Sequence, residues 1–182
     1  MEIKPLSIEG SYLITPRTFS DERGSFSTLY DVSEFARNGL VADWLADNQS
    51  YNVSRGTLRG LHFQRAPYAQ SKLVRAAAGR IFDVFVDLRK DSATFMKWEA
   101  VELDSRINNS VFIPKGCAHG YLTLDDHVVV CYKVDANYSP ASEGGLAWND
   151  PSIGIKWLFT DGLILSVKDI GWPQFDAALH SL

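Results

Sequence analysis

The sequence predicts an all-β fold, a sandwich or a barrel, from three observations. Short runs rich in β-branched and aromatic residues recur with turn signals between them. Helical periodicity is confined to two places. With 182 residues, 46% hydrophobic and 12% aromatic, the chain can bury one substantial core, so residues 1–182 are expected to form a single domain.

The first strand segments are residues 11–19 (SYLITPRTF) and 25–30 (SFSTLY), with the turn DERG between them. VSEFARNGL (32–40) has a helical pattern that Gly39 can stop. Strands follow in GTLRGLHFQ (56–64), SKLVRAAAG (71–79) and IFDVFVDLR (81–89). KWEAVELD (97–104), SVFIPKG (110–116), HGYLTL (119–124) and HVVVCYKVD (127–135) complete the β pattern, and PQFDAALHSL (173–182) is a short helical piece. The nearly unbroken apolar run from Ile81 suits a strand buried on both faces, interrupted by Asp83 and Asp87. Buried carboxylates must be paired or hydrogen-bonded, so at least one should face a polar cavity or an arginine, unless the strand ends near Asp87.

A net charge of -4 and a pI near 5.5 supply no basic field, which argues against nucleic acid as the main ligand. Cys117 and Cys131 sit in apolar runs and read as reduced core thiols. MEIKPLSIEG has no apolar signal region, and no later run is long enough to span a membrane, so a cytoplasmic protein is expected.

Two of the four histidines, His62 and His119, fall in β segments near glycine. PKGCAHG, at 114–120, is similar to the second metal motif of cupins, which implies a cupin-like jelly-roll barrel. The matching first motif, LHFQRA, keeps His62 but has Gln64 where a second histidine belongs, and no glutamate follows nearby. A metal would lack ligands, so none is expected. Histidines in such a barrel then point to general acid–base catalysis. Strict alternation sets Gly60, His62 and Gln64 on one face and Arg59 on the other, where it reads as an edge cation. A bulge at Gly60 would bring Arg59 round to the cavity. Arg23, Lys72 and Arg75 together fit a pyrophosphate pocket. Tyr132 and Tyr138 are able to donate a proton or stack on a base. Lys168 and Asp169 lie in a turn-rich stretch that can fold over a barrel mouth, where a carboxylate would fix a histidine's tautomer.

Taken together, DERG, the Asp47–Asn48 pair, LRGLHFQ, KLVR, FDV-x-VD-x-RKDS, IPKG-x-AHG, SPASEGG, WND-x-x-IGI-x-W and LS-x-KD resemble the dTDP-4-dehydrorhamnose 3,5-epimerases and related nucleotide-sugar epimerases. The likeness runs in register from about residue 8 to about residue 172. The resemblance implies that His62 is the proton acceptor, Asp169 its carboxylate partner and Tyr132 the proton donor on the opposite side of the sugar. It implies substrate contacts from Arg23, Asp47, Asn48, Arg59, Lys72, His119, Glu143 and Lys168, and stacking of Tyr138 on thymine. It also implies a homodimer with crossed N-terminal strands, in which Arg23 serves the neighbour's site, and no cofactor or metal. The expected reaction is epimerisation at C3, C5 or both of a nucleotide-linked 4-keto-6-deoxy sugar, with Lys72 stabilising the enolate oxygen. Thr28 and Ala46 stand where the family has a glutamate and a glutamine. A mono-epimerase, a ketoisomerase and a non-catalytic sugar-binding cupin remain as alternatives.

Overall fold

The computed structural model describes residues 1–40 and 43–182. In chain order the strands are β1 (Glu2–Pro5), β2 (Tyr12–Thr15), β3 (Thr18–Asp21), β4 (Gly24–Ser27), β5 (Ala46–Asn52), β6 (Leu58–Gln64) and β7 (Lys72–Ala78). They continue with β8 (Arg80–Asp87), β9 (Trp98–Asp104), β10 (Ser110–Ile113), β11 (Cys117–Thr123), β12 (Val128–Val134) and β13 (Glu143–Gly145). Three short helices are interspersed: α1 (Val32–Arg37), α2 (Val167–Ile170) and α3 (Ala177–His180). No helix among the described residues is long and apolar enough to cross a membrane.

The strands form a six-stranded sheet, ordered β1-β2-β10-β7-β12-β5, and a five-stranded sheet, ordered β13-β6-β11-β8-β9. Their inner faces meet in a core of Val74, Ala76, Val111, Val128 and Val130 from the first and Ile81, Phe85, Leu103 and Tyr121 from the second. This is the jelly-roll architecture that the sequence predicts. The outer face of the five-stranded sheet (Leu61, Phe63, Val86, Ala118) is covered by Ile153, Trp157, Phe175 and Leu182 from the chain's last third. On the other side α1 plugs Phe35, fully buried, against Ile14, Leu73 and Phe112; burying such a ring contributes roughly 2–3 kcal/mol. Asp31 caps α1 by accepting from the amides of Ser33 and Glu34, and Gly39, at φ +69°, turns the chain out of it.

Strand expectations need correction at several points, beginning with β1, which pairs with β2 in a segment the strand pattern does not mark. Residues 11–19 are not one strand, because Pro16 and Arg17 separate β2 from β3, which pairs with β4 in a hairpin of its own. The polar run ADNQSYN forms β5, with Asp47, Gln49 and Tyr51 exposed on one face and Asn52 buried on the other. The glycine-rich β13 escaped a reading based on β-branched residues. Cys117 is a buried free thiol as expected, whereas Cys131 is half-buried on the outer face of β12, since alternation turns Val130 and Tyr132 inward. Both acids of β8 are buried: Asp83 meets His119, and Asp87, the strand's last residue, meets Arg89.

Candidate active site

A cavity of about 240 Å³ opens between the two sheets. Its geometry begins with a bulge in β6. His119 pairs with His62 while Tyr121 pairs with Arg59, so two steps along β11 oppose three along β6. The extra residue lies at Gly60, whose φ of +117° and position against Gly120, 2.6 Å from an added Cβ, leave no room for a side chain. The bulge turns Arg59 onto the cavity wall beside His62, which corrects the edge-cation reading. Arg59 Nε donates to Asn52 Oδ1 at 2.9 Å, and Asn52 is fixed in turn by the Tyr121 hydroxyl (3.3 Å) and by donating to the Val128 carbonyl (3.2 Å). Ser50 Oγ lies 2.7 Å from the same tyrosine hydroxyl.

Two carboxylate–histidine pairs face this space. His62 Nε2 is 2.5 Å from Asp169 Oδ1, with Asp169 on α2. Ser166, the N-cap of α2, accepts the Asp169 amide at 3.0 Å and donates its hydroxyl to Asp169 Oδ2 at 2.8 Å. Burial would raise the Asp169 pKa, but the hydrogen bonds from His62 and Ser166 outweigh it and hold the carboxyl below its ordinary value. An ionised carboxylate only accepts, so the proton on the neutral ring sits at Nε2 and the Nδ1 lone pair is left to take one up. The second pair, His119 Nε2 to Asp83 Oδ2 at 2.8 Å, is almost wholly buried. Burial lowers the His119 pKa and raises that of Asp83, so the His119 ring is kept neutral.

The six-stranded sheet supplies the opposite wall. Lys72 and Tyr132 lie on its inner face, on neighbouring strands β7 and β12. Burial lowers the Lys72 pKa to about 8, against the pull of Asp83 and Glu143. Lys72 forms no hydrogen bond or ion pair among the described residues, so its ammonium is unengaged. Burial raises the Tyr132 phenol pKa and Arg59 opposes it only in part, so the hydroxyl keeps its proton at neutral pH. At the mouth, Glu143 accepts from Lys168 Nζ at 2.6 Å and from the Tyr138 hydroxyl at 3.0 Å, while the Tyr138 ring is 62% exposed.

The fold therefore gathers His62, Asp169, Tyr132, Lys72, Arg59, His119, Tyr138, Glu143 and Lys168 in and around one cavity. Asn48 is half-buried on β5 opposite Tyr132. Asp47 turns to the outer face, bound to Lys133 at 2.7 Å, because it is one residue out of phase with Asn48. Arg23 sits at the hairpin tip, paired with Asp21 at 2.6 Å, outside the cavity of its own chain. Sequence reasoning missed Ser50, Asn52 and Tyr121 behind Arg59, and Ser166 behind Asp169. The spacing Ser166-x-x-Asp169 is a capping-box signal that would have found the last. Among the described residues no group of three or more His, Cys, Asp or Glu is arranged to hold a metal ion.

A jelly-roll barrel enclosing a histidine–carboxylate pair on one wall, and a half-buried lysine and a protonated tyrosine on the facing wall, is that of a cupin-type enzyme of proton transfer. The family model for dTDP-4-dehydrorhamnose 3,5-epimerase matches residues 5–177, and the chain belongs to that family of isomerases. It is 46% identical over 168 residues to the dTDP-4-dehydrorhamnose 3,5-epimerase of Methanothermobacter thermautotrophicus, covering 91% of this chain and 90% of the relative. The crystal structure of dTDP-4-dehydrorhamnose 3,5-epimerase from Bacillus anthracis with TDP and PPi bound superposes with a TM-score of 0.92 at 41% identity, covering 96% of this chain and 99% of that one. ChmJ, a 3'-monoepimerase from Streptomyces bikiniensis solved with dTDP-quinovose, gives a TM-score of 0.89 at 32% identity, covering 97% and 88%.

Proposed function

We propose that the protein epimerises a nucleotide-linked 4-keto-6-deoxy sugar, dTDP-4-keto-6-deoxyglucose, at C3 and C5. The observation that carries this reading is the placement of the His62–Asp169 pair and of Tyr132 on facing sheets across one cavity. A proton on a carbon next to the C4 ketone is acidic only if the developing enolate oxygen is stabilised, and the Lys72 ammonium is the cation available for that. His62 takes the proton at Nδ1, and Asp169 stabilises the imidazolium that forms. Inversion needs a proton delivered to the other face, and Tyr132 is the donor. His119, held neutral, and Arg59, held by Asn52, contact the substrate, as do Glu143, Lys168 and Asn48. Tyr138 stacks on the base. No cofactor or metal takes part.

The working unit is a cytoplasmic homodimer of single cupin-like domains, with exchanged N-terminal strands. Support comes from the hairpin of β3 and β4, which among the described residues pairs only with itself and exposes Phe19 (54%) and Phe26 (68%). In the dimer Arg23 serves the neighbour's cavity. A mono-epimerase is the second reading, favoured by Thr28 and Ala46 in place of larger polar groups. Incubation with dTDP-4-keto-6-deoxyglucose in D2O separates the two: label at both C3 and C5 supports the double reaction, and label at one carbon supports the single one. No label with any 4-keto nucleotide sugar refutes both.

A further inference from the structure

His180, near the C-terminus, is 1% exposed and takes no part in the chemistry above. Both ring nitrogens are nonetheless engaged. Nε2 lies 3.0 Å from the Gly145 carbonyl oxygen, which only accepts, so Nε2 carries the proton. Nδ1 accepts the Asp176 amide at 2.9 Å. Phe63 and Phe175 pack against the ring, at centroid distances of 6.0 Å and 5.6 Å.

What the ring holds is the open edge of β13. Leu61 and Leu146 exchange both backbone hydrogen bonds, so the next pair, His62 opposite Gly145, is of the non-bonded kind, with its side-chain positions close together. The Gly145 carbonyl therefore points away from β6, and His180 is its partner. Gly145 also lacks a side chain because Trp172 occupies that space, 1.9 Å from an added Cβ. Trp172 in turn meets the His62 ring edge-on at 6.0 Å. Ala147 donates to the Pro173 carbonyl at 2.8 Å, closing the same segment onto β13.

We propose that His180 is a positioning residue for the active site: by bonding the Gly145 carbonyl it fixes β13 and Trp172 behind the His62 ring. The assignment rests on the reading of His62 as the base. The test compares wild type, His180→Leu and His180→Gln by deuterium uptake from D2O at saturating and limiting dTDP-4-keto-6-deoxyglucose. His180→Leu should lower kcat about 10-fold with KM within about 2-fold, because a base slightly misplaced loses rate without losing ground-state binding. His180→Gln, whose amide reaches the same carbonyl, should recover kcat to within about 3-fold of wild type. Unchanged kcat in a folded His180→Leu protein, or a Gln variant no better than Leu, overturns the proposal. If His180→Leu does not fold, His180→Asn replaces it, since its shorter amide mimics Nδ1 and not Nε2; equal kcat for Gln and Asn then overturns it. The downfield NMR resonance of the His62 Nε2 proton gives a readout without substrate. It should shift in His180→Leu or His180→Asn, and an unshifted resonance counts against the proposal. Wild type that exchanges no deuterium sinks the reading of His62 as base, while this resonance still decides whether His180 holds the ring.

Discussion

Replacing Asp169 by asparagine should damage the enzyme more than replacing it by alanine. The Asp169→Ala variant loses one charge-assisted hydrogen bond to His62, worth about 1.5–3 kcal/mol. At 1.36 kcal/mol per decade that is a rate loss of about 10- to 150-fold. The His62 side chain is 32% exposed, so water can enter and the ring still samples the tautomer with a free Nδ1. In Asp169→Asn, Ser166 decides the amide's orientation. Its hydroxyl accepts the amide of residue 169 and donates to Oδ2, so the asparagine oxygen turns to Ser166 and its NH2 group to His62. A donor facing Nε2 forces the ring proton onto Nδ1, where the base needs a lone pair, and a wrong tautomer costs on the order of 10⁴-fold. The assay is deuterium uptake at saturating substrate, with thermal melts to verify folding. Equal rates in the two variants, or a faster asparagine variant, would refute the tautomer argument.

Three further outcomes follow from the same structure. Lys72 must be charged to stabilise the enolate, and its pKa is lowered to about 8, so kcat/KM should fall about tenfold per pH unit above pH 8. A Lys72→Met variant should be slower and lack that alkaline limb in a pH–rate profile. Burial of Asp87 is outweighed by hydrogen bonds from Arg89, Ser92 and Thr94, taking its pKa from 3.8 to about 2. The folded pKa is depressed, so its stabilisation of about 2 kcal/mol is present above pH 4 and lost as pH falls through 2; Asp87→Asn should lose that amount in urea unfolding at pH 7. Gly145→Ala pushes a methyl group into Trp172 and should cost about 1–3 kcal/mol, read as a lower melting temperature together with lower activity.

The parts of the fold legible in the sequence were those whose side chains pack. Val74, Ile81, Phe85, Val111 and Val130 alternate with outward residues, and that pattern specifies both sheets. β5 was hidden because its inner face carries Asn48, Ser50 and Asn52 for the cavity and its outer face is polar and exposed. A strand serving a site has no hydrophobic signature to read. His62 and His119 were found through glycine-flanked motifs, which mark close backbone approach. The second carboxylate pair was only half visible: Asp83 stood out as a charge in an apolar run, but its partner depends on the antiparallel register of β8 and β11. Asp47 and Asn48 look equivalent as neighbours, yet one step along a strand sends them to opposite faces.

The most direct test of the central claim, that acid and base act from opposite faces, is the product formed by Tyr132→Phe in D2O. With His62 intact and the opposite-face donor removed, deuterium should enter C3 and C5 with configuration retained, because the protonated His62 ring, 32% exposed, exchanges its proton with D2O and delivers the deuteron to the side from which the proton came. Inverted product formed at the wild-type rate would contradict the account.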